Sequence, residues 1–171
     1  MSKGFTIIEL LVSMSIIFLL VGFTFAGYAR FNARQQLNSA GQSLKNTLRD
    51  IQSRAYNGEM DCAVCDCSVS GDSAFKGWYV DFTAQKIYGQ CIALDATQPT
   101  YTPKSLGLGA QVTIVPAPVS KIMFRYSPPG VDLSTNVCLS LSNLADTYYL
   151  IKINQSGDIT DNGGLTSSCT P

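Results

Sequence analysis

The sequence of 171 residues contains no histidine and only one tryptophan. The missing histidine removes the commonest general base, the commonest metal ligand, and the Ser-His and Cys-His forms of nucleophilic catalysis. Charge is also scarce, since 12 basic and 12 acidic residues cancel to a net charge of zero. We therefore predict that the protein is not an enzyme, that it binds no cofactor, and that it has no general attraction for nucleic acid.

A long apolar run occupies residues 5–29 and contains a single charged residue, Glu9. A bilayer core requires roughly 20 apolar helical residues, so this run is long enough to span it with some tilt. A secretory signal peptide would place basic residues first, then ~7–15 apolar residues and a small-residue cleavage site. Here only residues 1–4 precede the run, and no Ala-x-Ala site follows it. The run predicts a membrane helix. An apolar N-terminal run of this kind is most often a plain anchor or a signal peptide, and both stay open as alternatives to a more specialised role.

Glu9 is an unusual residue for such a helix. A carboxylate at the centre of a membrane helix costs roughly 2.5–3.5 kcal/mol, and less near the interface. We therefore expect Glu9 to have a cationic partner, because an ammonium neutralises a buried carboxylate. The alternative is that its side chain reaches back toward the lipid headgroups.

Residues 3–12, Lys-Gly-Phe-Thr-Ile-Ile-Glu-Leu-Leu-Val, resemble the class III signal of type IV pilins and type II secretion pseudopilins. The resemblance implies cleavage by a prepilin peptidase after Gly4, methylation of the new amino terminus at Phe5, and retention of the apolar helix. It also implies that Glu9 pairs with the free amine of a neighbouring pilin or pseudopilin subunit during assembly.

The same resemblance implies where the protein resides. We expect a single-pass protein of the cytoplasmic (inner) membrane with an extracytoplasmic head, surrounded by lipid until an inner-membrane assembly platform adds it to a filament. The filament would be periplasmic or extracellular. Its partners would be other subunits of the same kind and the prepilin peptidase, which is also the methyltransferase.

The helical pattern continues beyond the apolar run. Small or apolar residues recur at steps of four and three, namely Leu37, Gly41, Leu44, Leu48, Ile51 and Ala55. This spacing predicts an amphipathic helix, and Asn57 and Gly58 are residue types that end one. The predicted organisation is a leader (1–4), a transmembrane or assembly half of the helix (5–29), an amphipathic half (30–57) and a globular β head (58–171).

Alternating apolar residues in the head predict β-strands. We expect strands at 78–82, 87–94, 108–115, 122–126, 137–141 and 148–153, and a short last strand at Ile159. Pro99 and Pro103 lie in a predicted long connection, and residues 161–171 are predicted to be a loop. The fold class is α+β, with one long N-terminal helix packed on a mostly antiparallel β-sheet head.

The order of these elements carries a second resemblance. The helix, then Gly-Trp-Tyr-Val-Asp-Phe at 77–82, a hairpin and a late Ile-x-Phe strand at 122–124 are similar to H-type minor pseudopilins and FimT-like minor pilins. Residues 49–55, followed by Asn57 and Gly58, also resemble the helix end of that group. The resemblance implies a minor structural subunit of a pilus or secretion pseudopilus.

The alternative function is a tip or minor pilin that binds DNA or another extracellular ligand. DNA capture uses clustered lysine and arginine to displace counterions. Residues 127–171 contain one basic residue, Lys152. We therefore do not expect nucleic acid as a partner.

All the cysteines follow the apolar run, at Cys62, Cys65, Cys67, Cys91, Cys138 and Cys169. An even number in an extracytoplasmic head predicts disulfides, but the sequence does not choose among the fifteen possible pairings. The Cys62-x-x-Cys65 spacing would also suit half of a zinc site, or less readily a redox pair.

Three residues near the C-terminus are candidate calcium ligands. Asp158, Asp161 and Asn162 offer the oxygen atoms that calcium prefers. Turns use the same residue types without an ion, and we predict a turn.

Overall fold

The computed structural model describes residues 6–68, 75–92, 97–115 and 119–169, with only the backbone of residues 24–26. Within these ranges one long helix precedes nine strands. The elements are α1 (Ile7–Tyr56), β1 (Phe75–Asp81), β2 (Lys86–Cys91), β3 (Thr100–Ser105), β4 (Val112–Val115), β5 (Lys121–Arg125), β6 (Gly130–Val131), β7 (Thr135–Leu141), β8 (Leu144–Ile153) and β9 (Ile159–Thr166).

The helix α1 begins and ends with capping residues that the sequence supplies. The backbone N–H of Glu9 donates to the carbonyl oxygen of Thr6 at 3.1 Å and to its Oγ1 at 3.4 Å. At the other end Gly58 adopts a φ of +64° and its N–H donates to the Ala55 carbonyl at 3.0 Å. Glycine takes this left-handed conformation without steric cost. The predicted helix end at Asn57 and Gly58 is confirmed.

The predicted stripe on the second half of α1 faces the head and is buried. Ala55 and the four large side chains of this stripe are fully buried, the four being Leu37, Leu44, Leu48 and Ile51. Gly41 lies against the aromatic ring of Tyr149, where a β-carbon would collide with the ring. Gly41 thus permits the close approach of α1 to β8.

Two antiparallel sheets form the head. The first has the strand order β3-β2-β1-β5-β6 and the second β4-β7-β8-β9. The helix packs against strands of both sheets, and side chains of the helix and both sheets form one hydrophobic core. The predicted α+β class and the mostly antiparallel head are confirmed, with two sheets in place of one.

Two of the four edge strands, β3 and β9, correct the sequence prediction. The predicted long connection contains β3, which includes Pro103 and pairs with β2 alone. An edge strand tolerates a proline because its outer side needs no ladder hydrogen bond. The predicted loop after residue 161 is instead most of β9, which continues to Thr166. The polar and glycine-rich sequence of β9 lacks the alternation that predicts a strand. This strand pairs on one side only.

Other strand ends differ by a few residues. The strand β4 begins at Val112 rather than at residue 108, because a turn at residues 110–111 comes first. The strand β8 begins at Leu144 rather than at residue 148, and Tyr126 follows β5 in a turn. The predicted end of the second strand at residues 93–94 lies outside the described residues.

Candidate functional site

The first half of α1 is exposed although it is apolar. Every large apolar side chain described between Ile7 and Phe31 is at least 50 % exposed, and the helix enters the head only at Ala33, which is 6 % exposed. Among the described residues α1 is the one helix long and apolar enough to cross a membrane by length and composition. An apolar surface of this extent requires lipid or other helices around it.

Glu9 lies in the first turn of this exposed half. A carboxylate at this end of a helix is favoured by the helix dipole. Within the described residues, the Glu9 carboxylate accepts no hydrogen bond and forms no ion pair, so it is available to a partner from another chain. The predicted processing residues Gly4 and Phe5 lie outside the described residues.

Two serine hydroxyls on the exposed half are satisfied within the helix. The Ser13 hydroxyl donates to the Leu10 carbonyl at 2.9 Å, and the Ser15 hydroxyl donates to the Leu11 carbonyl at 2.8 Å. Such bonds allow serine to enter an apolar environment at low cost. The Glu9 carboxylate, in contrast to these two hydroxyls, has no partner within the described residues.

Glycines make part of the exposed half narrow. A β-carbon at Gly22 or Gly27 would meet no described atom within 4 Å. Small residues on an apolar helix allow a second helix to approach closely. Gly22 and Gly27 are five positions apart and so lie on different faces of α1, and each offers its own point of close approach.

The second half of α1 is fixed to the second sheet by a polar cluster that the sequence analysis missed. Asp161 on β9 accepts a hydrogen bond from the Lys45 ammonium at 2.5 Å and one from the Tyr149 hydroxyl at 2.7 Å. The bonds from Lys45 and Tyr149 lower the pKa of Asp161 to about 2. Burial, and then the bond to Asp161, raises the pKa of Tyr149 to about 12.

The candidate calcium ligands Asp158 and Asp161 make different contacts within the chain. Asp161 is neutralised by Lys45. Asp158 belongs to the turn before β9, where its backbone N–H donates to the side-chain oxygen of Asn154 at 2.8 Å. The predicted turn is confirmed at residues 155–156, just before Asp158, but it is wrong for Asp161 and Asn162, which lie in β9. Among the described residues no group of three or more acidic or cysteine residues could hold a metal ion.

A second polar contact joins the end of α1 to the first sheet. The backbone carbonyl of Glu59 accepts hydrogen bonds from Trp78 Nε1 at 3.2 Å and from the Tyr101 hydroxyl at 2.8 Å. Arg54 pairs with the side chains of Asp50 at 2.9 Å and Glu59 at 3.0 Å. Trp78 therefore serves the fold of the head, since it holds the segment that follows the helix.

The six cysteines form three disulfides and none is free. Cys62 pairs with Cys67, Cys65 with Cys91, and Cys138 with Cys169. The Cys62-x-x-Cys65 cysteines belong to two different disulfides, so they form neither half of a zinc site nor a redox pair. The second bond ties the segment after α1 to β2, and the third ties the C-terminal tail to β7.

These features define a pilin-like α+β protein: a helix with one exposed apolar half and one half packed in a disulfide-bonded β head. Comparison with protein-family models then matches residues 1–25 to the prokaryotic N-terminal methylation motif. The motif supports a type IV pilin-like subunit, and it implies processing by a prepilin peptidase and assembly with other pilins. Comparisons with curated proteins and with solved structures give no significant match.

Proposed function

We propose that the chain is a minor pilin or pseudopilin, a structural subunit of a type IV pilus or a type II secretion pseudopilus. It is cleaved after Gly4, methylated at Phe5 and held in the inner membrane by residues 5–29 until it is assembled. The observation that supports this most is the joint occurrence of the methylation motif and the exposed apolar half of α1.

The exposed apolar residues supply the assembly surface. When a helix leaves the bilayer, its side chains from Ile7 to Phe23 lose contact with lipid and would otherwise meet water. Packing against the same helices of neighbouring subunits restores the apolar contacts. The free-energy cost of moving the helix from the bilayer into the filament is then small enough for an assembly platform to supply.

Glu9 sets the axial register of that packing. Apolar helices can slide past each other at little cost, whereas a carboxylate in an apolar bundle needs a cation at its own height. The amine that cleavage after Gly4 creates at Phe5 is such a cation. Pairing Glu9 of one subunit with this amine on the next fixes one position along the helix.

The head suits an extracytoplasmic position, because three disulfides form and persist in oxidising compartments. Its helix-hairpin-sheet order is the basis for the narrower proposal of an H-type or FimT-like minor subunit. In the filament the head forms the outer surface.

The proposed function is tested by replacing Glu9 with leucine and following the protein into sheared or purified filaments. Glu9→Leu should reach the membrane at the normal level and be incorporated at least tenfold less than the wild-type chain. The matched control is Glu59→Leu, which removes an exposed carboxylate from the head. Its surface ion pair with Arg54 contributes little to stability, so this variant should assemble normally. Normal incorporation of Glu9→Leu would show that the acid has no role in assembly.

A further inference from the structure

The end of the head nearest the exposed half of α1 contains a small cavity that is lined mainly by polar residues. Its volume is about 270 Å³, and its lining residues are Arg34, Asp146, Thr147, Leu165, Thr166 and Ser167. Arg34 lies on α1 one residue beyond Ala33, where the helix enters the head. The other residues belong to β8 and to the end of β9. The cavity therefore lies where the head meets the exposed helix.

Two arginines at this junction have no partner of their own. Arg30 and Arg34 are four positions apart, so they lie on one face of α1. Both are exposed, and neither forms an ion pair or hydrogen bond with any described residue. Side chains on a helix lean toward its N-terminus, so both guanidinium groups lean toward the apolar half.

The arginines lie at the height expected for lipid headgroups. Tyr28 and Phe31 are 69 % and 60 % exposed, and exposed aromatic residues are typical of the membrane interface. The 25 residues 7–31 extend for about 36 Å, compared with ~30 Å for the hydrocarbon core and ~40–45 Å for the whole bilayer. Arg30 and Arg34 thus fall in the headgroup layer or just outside it.

Their position is opposite to the usual charge bias of membrane proteins. Lysine and arginine next to a membrane helix are concentrated on the cytoplasmic side. With the leader in the cytoplasm, Arg30 and Arg34 lie on the other side. Basic residues placed there are free to pair with an anionic group, and a phospholipid phosphate lies at the same height.

We infer that Arg30, Arg34 and the cavity beside them bind the phosphate of an anionic phospholipid in the outer leaflet of the inner membrane. The inference rests on the proposed function, since it requires a membrane-held subunit. The donors are the two guanidinium groups and the Ser167 hydroxyl, which bonds to no other described residue.

The neighbouring side chains limit the charge of the site. The hydroxyls of Thr147 and Thr166 donate to the carbonyls of Ala145 and Ser168, so they supply no proton to a ligand. Asp146 is exposed and lines the same cavity. With Arg30 and Arg34 it leaves a net charge of +1, which suits one phosphodiester better than a more highly charged anion.

The bound lipid would orient the subunit before assembly. The head is joined rigidly to α1 from Ala33 onward, so a contact at Arg34 fixes the rotation of the whole head about the helix axis. The contact would break when the helix leaves the bilayer, so the bound lipid belongs to the precursor and not to the filament.

The test is native mass spectrometry of the full chain in detergent with equal amounts of phosphatidylglycerol and phosphatidylcholine that carry the same acyl chains. An arginine at a membrane surface contributes about fivefold to anionic lipid binding. We expect the wild-type chain to retain phosphatidylglycerol at least about fivefold more than phosphatidylcholine. Arg30→Gln with Arg34→Gln should abolish the preference, the two lysine variants should keep most of it, and Asp146→Asn should increase it. The matched control Lys121→Gln, on β5, should match the wild type.

Three results would overturn the inference: equal retention of the two lipids by the wild-type chain, an unchanged preference in the double glutamine variant, or displacement of phosphatidylglycerol by an equal concentration of soluble glycerol phosphate. The last would indicate a site for free phosphate. The measurement uses unassembled protein, so a missing preference with normal filament incorporation would leave the proposed function intact. A chain that binds phosphatidylglycerol but never assembles would contradict the proposed function alone.

Discussion

The Asp161 carboxylate on β9 contacts the Lys45 ammonium on α1 at 2.5 Å, across a separation of 116 positions in the sequence. The two side chains are 14 % and 21 % exposed, so water screens the pair only in part. The contact joins the last strand of the head to the helix that continues into the membrane. A force on the helix is therefore passed to the second sheet as well as to the core.

This pair predicts a pH dependence of stability. The pKa of Asp161 is lowered in the folded state from 3.8 to about 2, so its contribution is full above pH ~4 and is lost as the pH falls toward 2. Asp161→Asn should lower the free energy of unfolding by about 2 kcal/mol at pH 7 and by much less at pH 2. Chemical denaturation of the full chain in detergent at both pH values measures this. Asp146→Asn, an exposed control, should have little effect at either pH, and a pH-independent loss in Asp161→Asn would contradict the electrostatic explanation.

The contact between Gly41 and the Tyr149 ring predicts that α1 tolerates no side chain there. Gly41→Ala should lower the free energy of unfolding by about 1–3 kcal/mol, because the ring must move to admit the methyl group. Gly27→Ala is the matched control. Its methyl group meets no described atom, and alanine favours a helix by up to ~1 kcal/mol over glycine. Thermal unfolding of the two variants should therefore shift in opposite directions, and equal shifts would refute the close packing.

The disulfides should differ in their contribution to stability. Cys138 and Cys169 are 31 positions apart, whereas Cys62 and Cys67 are 5 apart. Removing the longer cross-link by replacing both cysteines with alanine should cost about 4 kcal/mol, and removing the shorter one about 2 kcal/mol, on loop-closure entropy. Calorimetry of both double variants tests this order. A larger loss from the Cys62–Cys67 pair would mean that the cysteine loop contributes through native contacts rather than chain entropy.

The helix and the candidate site were readable from the sequence because their signals are local. The stripe that includes Leu44 and Leu48 repeats every three or four residues, and the motif around Glu9 occupies about ten consecutive positions. The alternation of apolar and polar residues likewise predicts the central strands β1, β5 and β7. In these segments burial on one or both faces imposes a pattern that survives in the sequence.

The rest depends on contacts between distant residues. The pairing of Lys45 with Asp161 and the choice of Cys65 as the partner of Cys91 follow from how the sheets and the helix come together, and no short pattern records them. Edge strands were missed for a related reason. The strands β3, which contains Pro103, and β9 pair on one side only. An edge strand tolerates proline and polar residues that a central strand excludes, so these two sequences do not have the pattern of a central strand.

The intact mass of the subunit isolated from assembled filaments, together with the sequence of its first residues, tests whether the chain is cleaved and assembled as proposed. We expect a chain that begins at Phe5, carries one methyl group on the amino nitrogen, and has a mass consistent with three disulfides. A chain that begins at Met1 or Ser2, or that is found only as a monomer in the membrane, would contradict the central claim that cleavage creates the amine with which Glu9 pairs.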